Sequence, residues 1–331
     1  MVEKTQRRIG EVSHLPFSRA EGARLRGQAE VDGIRPTHLA EWALPSQKPE
    51  IHVALTPMDY HPDDPASIRL RQWVGNTILT WPIKLPDTDP RGVLSANLFE
   101  CWKKACDSRV GVAGYYYSLK GRGQVACHSR LEARLLQYFE MCPLVVEIRT
   151  QYPQWNREEF REYVLSGSQH AEPRLRTIDF MLTLAIPGIP YLVYHGVSGK
   201  PFEQLGDATV MSRHEKEAKG LWEWGGTHEV MTDKTVSERE AKNYERILAA
   251  LQHTEPDEID ELAAPAALFA RKLMKSNAQG PMDRVVGMVG RRMGLSFRDA
   301  YRMSAVAFFL GHLRWDHSHD YFHTEPLFLL R

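Results

Sequence analysis

The chain has no surplus of charge of either sign: Lys plus Arg and Asp plus Glu each total 42 of its 331 residues. That balance excludes a wholesale electrostatic grip on nucleic acid or membrane. Any contact with phosphate has to come from local basic patches. Long apolar runs are also missing. No stretch approaches the roughly 18 consecutive apolar residues that mark a membrane-crossing helix. The opening MVEKTQRRIGEV lacks the apolar stretch of a signal peptide. Cysteine is sparse: Cys101, Cys106, Cys127 and Cys142 form no CxxC pair and fit no zinc spacing. The expectations are reduced, mostly buried thiols and a cytoplasmic protein with no membrane partner.

What is present is ordinary globular material, 43% hydrophobic and 25% charged, in a chain long enough for two or three domains. Recurrent prolines over residues 1–95 discourage long helices, so this region reads as an N-terminal extension or small domain. IHVALT and TILTWPI fit short strands, and SRAEGARLRGQAE fits a surface helix. Arg7, Arg8, Arg24 and Arg26 either touch phosphates or coat a solvated surface. ANLFECWKKAC, residues 96–106, has helical apolar spacing.

The informative stretch begins at GYYYSLKGRGQVACHSRLEARLLQYFEM. Lys120 and Arg122 among glycines predict a flexible basic loop, and with Arg130 they are the candidate DNA contacts. Alternation predicts that Tyr116 packs inward while its neighbours face out, where an exposed ring can stack on unpaired bases. Ser129 suits a helix N-cap, and Glu132 stands three residues on, at capping-box spacing. Leu131, Leu135, Leu136 and Phe139 form the helix's apolar face.

LVVEIRTQYP and RTIDFMLTL read as strands, and YLVYHGV returns antiparallel after the turn IPGIP. Asp179 is unusual inside a strand, and burying it without a partner is costly. Two readings of it stay open. Either Asp179 pairs with Lys200 or Arg176 with no metal, or Glu132 and Asp179 hold a cation with Lys200 beside them. Two carboxylates and an amine can activate a water for phosphodiester hydrolysis. Glu132 likewise reads as a helix cap or as a ligand.

RHEKEAKGLWEW predicts a helix over 213–224, HEVMT a short strand, and EREAKNYERILAALQ a helix started by Thr235 or Ser237. The order of elements predicts an α/β architecture. Three further helices follow from about residue 255, and RWDHSHDYFHTEPLFLLR reads as a hairpin or an extended end. This tail, 255–331, fits a helical or winged-helix-like domain. Its Arg284, Arg291, Arg292, Arg298 and Arg302 face phosphates, an acidic partner or solvent. The histidines of HSHDYFH are expected to be surface or core residues rather than metal ligands.

The succession YSLKGRGQVACHSRLEARLLQYFEMCPLVVEIRTQYP, RTIDFML and YLVYHGVSGKP resembles the TnsA family, the endonuclease subunits of heteromeric bacterial transposases. HEKEAKGLWEWGGTHEVMTDKTVS resembles the sequel in that family. The likeness is good over 115–250, weak beyond it and absent from the first hundred residues. It implies a restriction-endonuclease-like PD-(D/E)xK core over 96–250. It implies that Glu132 and Asp179 bind Mg²⁺, or Mn²⁺ in its place, with Lys200 as the active-site lysine. Family members carry Gln two residues before that lysine; here Ser198 stands there, and either Ser198 or His195 is the candidate substitute. The gap from Asp179 to Lys200 is also longer, which predicts a bulge at His195–Gly199. The implied activity is hydrolysis of the 5′ strand at transposon ends, beside a DDE-type transposase. The C-terminal domain would meet an AAA+ ATPase regulator. A stand-alone restriction or repair nuclease and a catalytically decayed assembly subunit remain the rival readings.

Overall fold

The computed structural model describes Leu70, Cys101, residues 103–108, 111–154, 176–185, 192–223 and 226–330. The expectations for 1–95 other than at Leu70, for most of 96–106 and for the turn IPGIP lie outside the described residues, and so does Trp224.

A hairpin of β1 (Gly114–Ser118) and β2 (Gly123–Cys127) leads into helix α1 (Arg130–Met141). A four-stranded mixed sheet follows, in the order β3 (Val145–Gln154), β4 (Arg176–Leu184), β5 (Val193–Gly199), β6 (Thr227–Met231). The first two pairings are antiparallel; β5 and β6 are parallel. A parallel pair needs a crossover, and α2 (Ala208–Glu223) supplies it. The helix starts five residues before the RHEKE segment, because Asp207 accepts from the Thr209 N–H and opens it. The chain is thus α/β, with α3 (Glu238–Ala249), α4 (Pro256–Met274), α5 (Met282–Arg292) and α6 (Phe297–Phe309) completing six α-helices among the described residues. Ser237, not Thr235, caps α3.

The last segment folds back on itself without forming regular strands: the Asp316 N–H donates to Phe328 O and the Leu330 N–H to Arg314 O, both at 2.9 Å. It makes only isolated bridges, Pro281 to Pro326 and Trp315 to Leu329. The bulge expected at His195–Gly199 is absent: the β4–β5 register runs evenly from Phe180–Val197 to Leu184–Val193. The irregularity in the sheet falls at Val145/Glu147 of β3 instead.

Each face of the sheet is covered by a helix. Leu135, Leu136 and Phe139 of α1 pack on Ile148, Phe180, Leu182 and Val197. Phe139 meets Phe180 edge-on at 4.9 Å, and each such buried side chain contributes about 2 kcal/mol. On the other face Leu221 of α2 packs on Tyr152, Ile178 and Met181. Gly196 permits this approach, because a Cβ there would collide with Leu221. The helices α4 to α6 enclose a second core around Phe269, Val286, Val306 and Trp315, which also takes in Leu119, Met141 and Ile247. No helix among the described residues is long and apolar enough to cross a membrane.

Candidate active site

Ser129 caps α1 by accepting from the Glu132 N–H at 3.1 Å. The Glu132 carboxylate folds back over the same end. It accepts from the His128 N–H at 2.8 Å, the Ser129 hydroxyl at 3.0 Å and Gln151 Nε2 at 3.1 Å. Cap and site are therefore compatible: the serine serves the helix, and the glutamate is held in place facing the sheet. Burial raises the Glu132 pKa, against the pull of those hydrogen bonds and of the Lys200 charge.

Asp179 lies where two strands change face together. Ile148 packs towards α1 while Tyr152, four residues on, packs towards α2. Between them Gln151 adopts a left-handed φ of 51°. On β4, Phe180 faces α1 and Ile178 faces α2, so the alternation shifts at Asp179 as well. Gln151 and Asp179 are thereby both free to reach towards Glu132. The Asp179 carboxylate accepts from the Gly199 N–H at 2.8 Å. Asp179 keeps some exposed surface, yet its surroundings desolvate the carboxyl strongly. That desolvation, with repulsion from Glu132, pushes its pKa up to about 7.

Lys200 follows the end of β5, its N–H bonded to Met231 O at 2.9 Å. Its charge lowers the pKa of both Glu132 and Asp179. Among the described residues neither Lys200 nor Arg176 forms an ion pair with Asp179, so the metal-free pairing is not what the fold builds. Glu132, Asp179 and Lys200 come together, and two hard oxygen donors that repel each other fit a divalent cation. Gln151 was missed from sequence. The signal available was the polar end, Arg149–Thr150–Gln151, of a β-branched run.

Three expected site residues fall elsewhere. Lys120 is not a solvent-facing basic loop residue. It is buried, its Nζ donates to Cys142 O at 2.7 Å and Phe139 O at 3.1 Å, and burial pushes its pKa down to about 8. It closes the C-terminal end of α1 and cannot meet a phosphate. Ser198 points to the α2 side, where its hydroxyl donates to Glu217 at 2.8 Å. His195 is buried between Thr227 Oγ1 at 2.7 Å and Glu229 at 3.0 Å. Neither replaces the expected glutamine.

Arg122 and Arg130 are exposed; Arg122 makes only a long, open contact of 3.5 Å with Asp257. Tyr115 and Tyr117 are about half exposed while Tyr116 packs inward. In the tail, Arg302 is committed to Glu258 and Thr254, whereas Arg284, Arg291, Arg292 and Arg298 are exposed. His317 packs on Tyr244 and His319 on Phe328.

A second polar cluster sits on the α2 side of the sheet. Glu217, fully buried, accepts from Ser198, from His214 Nδ1 at 3.0 Å and from Arg213 Nε at 2.7 Å. Burial alone would raise its pKa, but these partners hold it down at about 2. In the sequence, RHEKE reads as part of a helix and HEVMT as a short strand, with nothing that joins them. No family model matches the chain, and no curated protein matches its sequence.

Proposed function

We propose that this chain is a metal-dependent DNA endonuclease with a restriction-endonuclease-like core, acting as a TnsA-like subunit of a cut-and-paste transposase. The observation that carries this reading is the convergence of Glu132 and Asp179, two carboxylates that repel each other, with Lys200 acting on both. Glu132 and Asp179 would hold Mg²⁺ or Mn²⁺. When bound, such an ion supplies Lewis-acid stabilisation of a scissile phosphate and a more acidic water.

The rest is the work of the chain itself. The His128 and Gly199 N–H groups and the Gln151 amide fix the carboxylate orientations before substrate arrives. Lys200 places a positive charge where negative charge develops on phosphate and its attacking oxygen. Arg122 and Arg130 supply the local basic contacts that the neutral chain otherwise lacks. Exposed Tyr117 offers a ring to an unpaired base. The partners follow from the TnsA resemblance: double-stranded transposon ends, a DDE-type transposase and an AAA+ ATPase reached through the C-terminal helices.

The test uses the full-length protein, transposon-end DNA and Mg²⁺, with and without the neighbouring DDE transposase. Cleavage of the 5′ strand only with both subunits is expected. Cleavage by the chain alone points to a stand-alone nuclease. No cleavage in either case points to a decayed, structural subunit.

A further inference from the structure

His214, Glu217 and His228 bring three donors to one buried point. His214 and Glu217 share a face of α2 at i, i+3 spacing, and His228 comes from β6. One donor atom from each lies within 4.8 Å of the other two. His214 Nδ1 is 3.0 Å and His228 Nε2 3.6 Å from the same Glu217 oxygen, Oε2. A tetrahedral ion with bonds of roughly 2.0 to 2.2 Å separates its ligands by about 3.4 Å, so these spacings suit one ion. All three side chains are almost wholly buried, with exposures of 4%, 0% and 4%.

The surroundings point the same way. Arg213 occupies the other oxygen of Glu217 at 2.7 Å, which leaves Oε2 as the donor. Ser198 Oγ stands 2.8 Å from Oε2 and 3.1 Å from His228 Nε2, at a fourth corner. Without an ion, His214 Nδ1 carries the proton and donates it to Glu217; an ion held at Nδ1 displaces that proton to Nε2. Neutral imidazole is the form that binds metal.

We infer that His214, Glu217 and His228 form a second metal site, for a zinc-class ion, that clamps α2 to the parallel strands β5 and β6. Two imidazoles and one carboxylate favour zinc, cobalt or nickel over magnesium. The site is separate from the all-oxygen pair of Glu132 and Asp179 and stands whether or not that pair cuts DNA.

Co²⁺ is the probe, added to full-length protein carrying Glu132→Gln and Asp179→Asn so that only the second cluster can bind. One equivalent should bind with the visible bands of a four-coordinate ion, without a thiolate band, and Zn²⁺ should displace it. Adding Glu217→Gln or His228→Gln should weaken binding at least tenfold. Absence of stoichiometric binding, or binding indifferent to both substitutions, overturns the inference. Where circular dichroism shows a variant unfolded, X-ray absorption of the cobalt-loaded parent decides. Two imidazole neighbours support the site, and fewer than two, or any sulfur, overturn it.

Discussion

The chemistry of single residues turns on Asp179. Its raised pKa means that the metal-free fold carries a carboxyl that ionises only reluctantly. The sign follows from linkage. A folded-state pKa of about 7 against 3.8 unfolded means the native state holds the proton longer, so stability is lost as pH rises through that window. Metal-free thermal denaturation should therefore show a falling Tm between about pH 4 and pH 7, and Mg²⁺ should flatten the fall. Asp179→Asn keeps the shape and the acceptor for Gly199 but removes the repulsion. It should abolish 5′ nicking while stabilising the metal-free protein at pH 8 by on the order of 1 kcal/mol. Full nicking by that variant would sink the site. Glu132 and Asp179 were legible in the sequence because each position follows from its own element, a helix start and a strand. Lys120 was not. Glycines around it suggest a loop, and its carbonyl partners on Phe139 and Cys142 lie some twenty residues away.

At the scale of elements, the end of α1 is closed by that lysine. Lys120→Met removes a charged donor from the Phe139 and Cys142 carbonyls and the cation beside the buried Glu140 carboxylate, whose pKa burial already raises. A loss of about 2 to 3 kcal/mol in urea unfolding is expected, with the salt dependence of DNA binding unchanged. Arg130→Ala should do the opposite: stability within about 0.5 kcal/mol of the parent, and a salt slope lower by about 1. Measuring both quantities on both variants separates a structural lysine from a phosphate-contacting arginine. Strand and helix identities were readable from apolar periodicity. The shared change of face at Gln151 and Asp179 was not, because a left-handed glutamine inside a strand leaves no trace in residue pattern. Strand parity puts Ser198 on the face of Gly196, but what it meets there depends on α2, whose Leu221 packs over Gly196 from a distant part of the chain.

Across the molecule, the sequence shows a helical tail after an α/β body, but not that the two share a core. Leu119 and Met141, from the first half of the described fold, are buried with Phe269, Val306 and Phe308. Ending the chain after His253 should therefore leave apolar surface open at the base of α1. The truncated protein is expected to aggregate during expression, as sedimentation of the lysate would show; a soluble, cooperatively unfolding fragment would contradict the shared core. The strand β5 carries a different consequence. Val197 and Gly199 face α1 beside the carboxylates, while Gly196 and Ser198 face α2 beside Glu217. One inserted or deleted residue within Val193–Gly199 would exchange these two faces and break both neighbourhoods in a single event. Length changes between Ala185 and Leu192 leave that parity untouched. Indels should thus accumulate ahead of β5 and stop abruptly at its first residue, a boundary that a library of single-codon deletions would map directly.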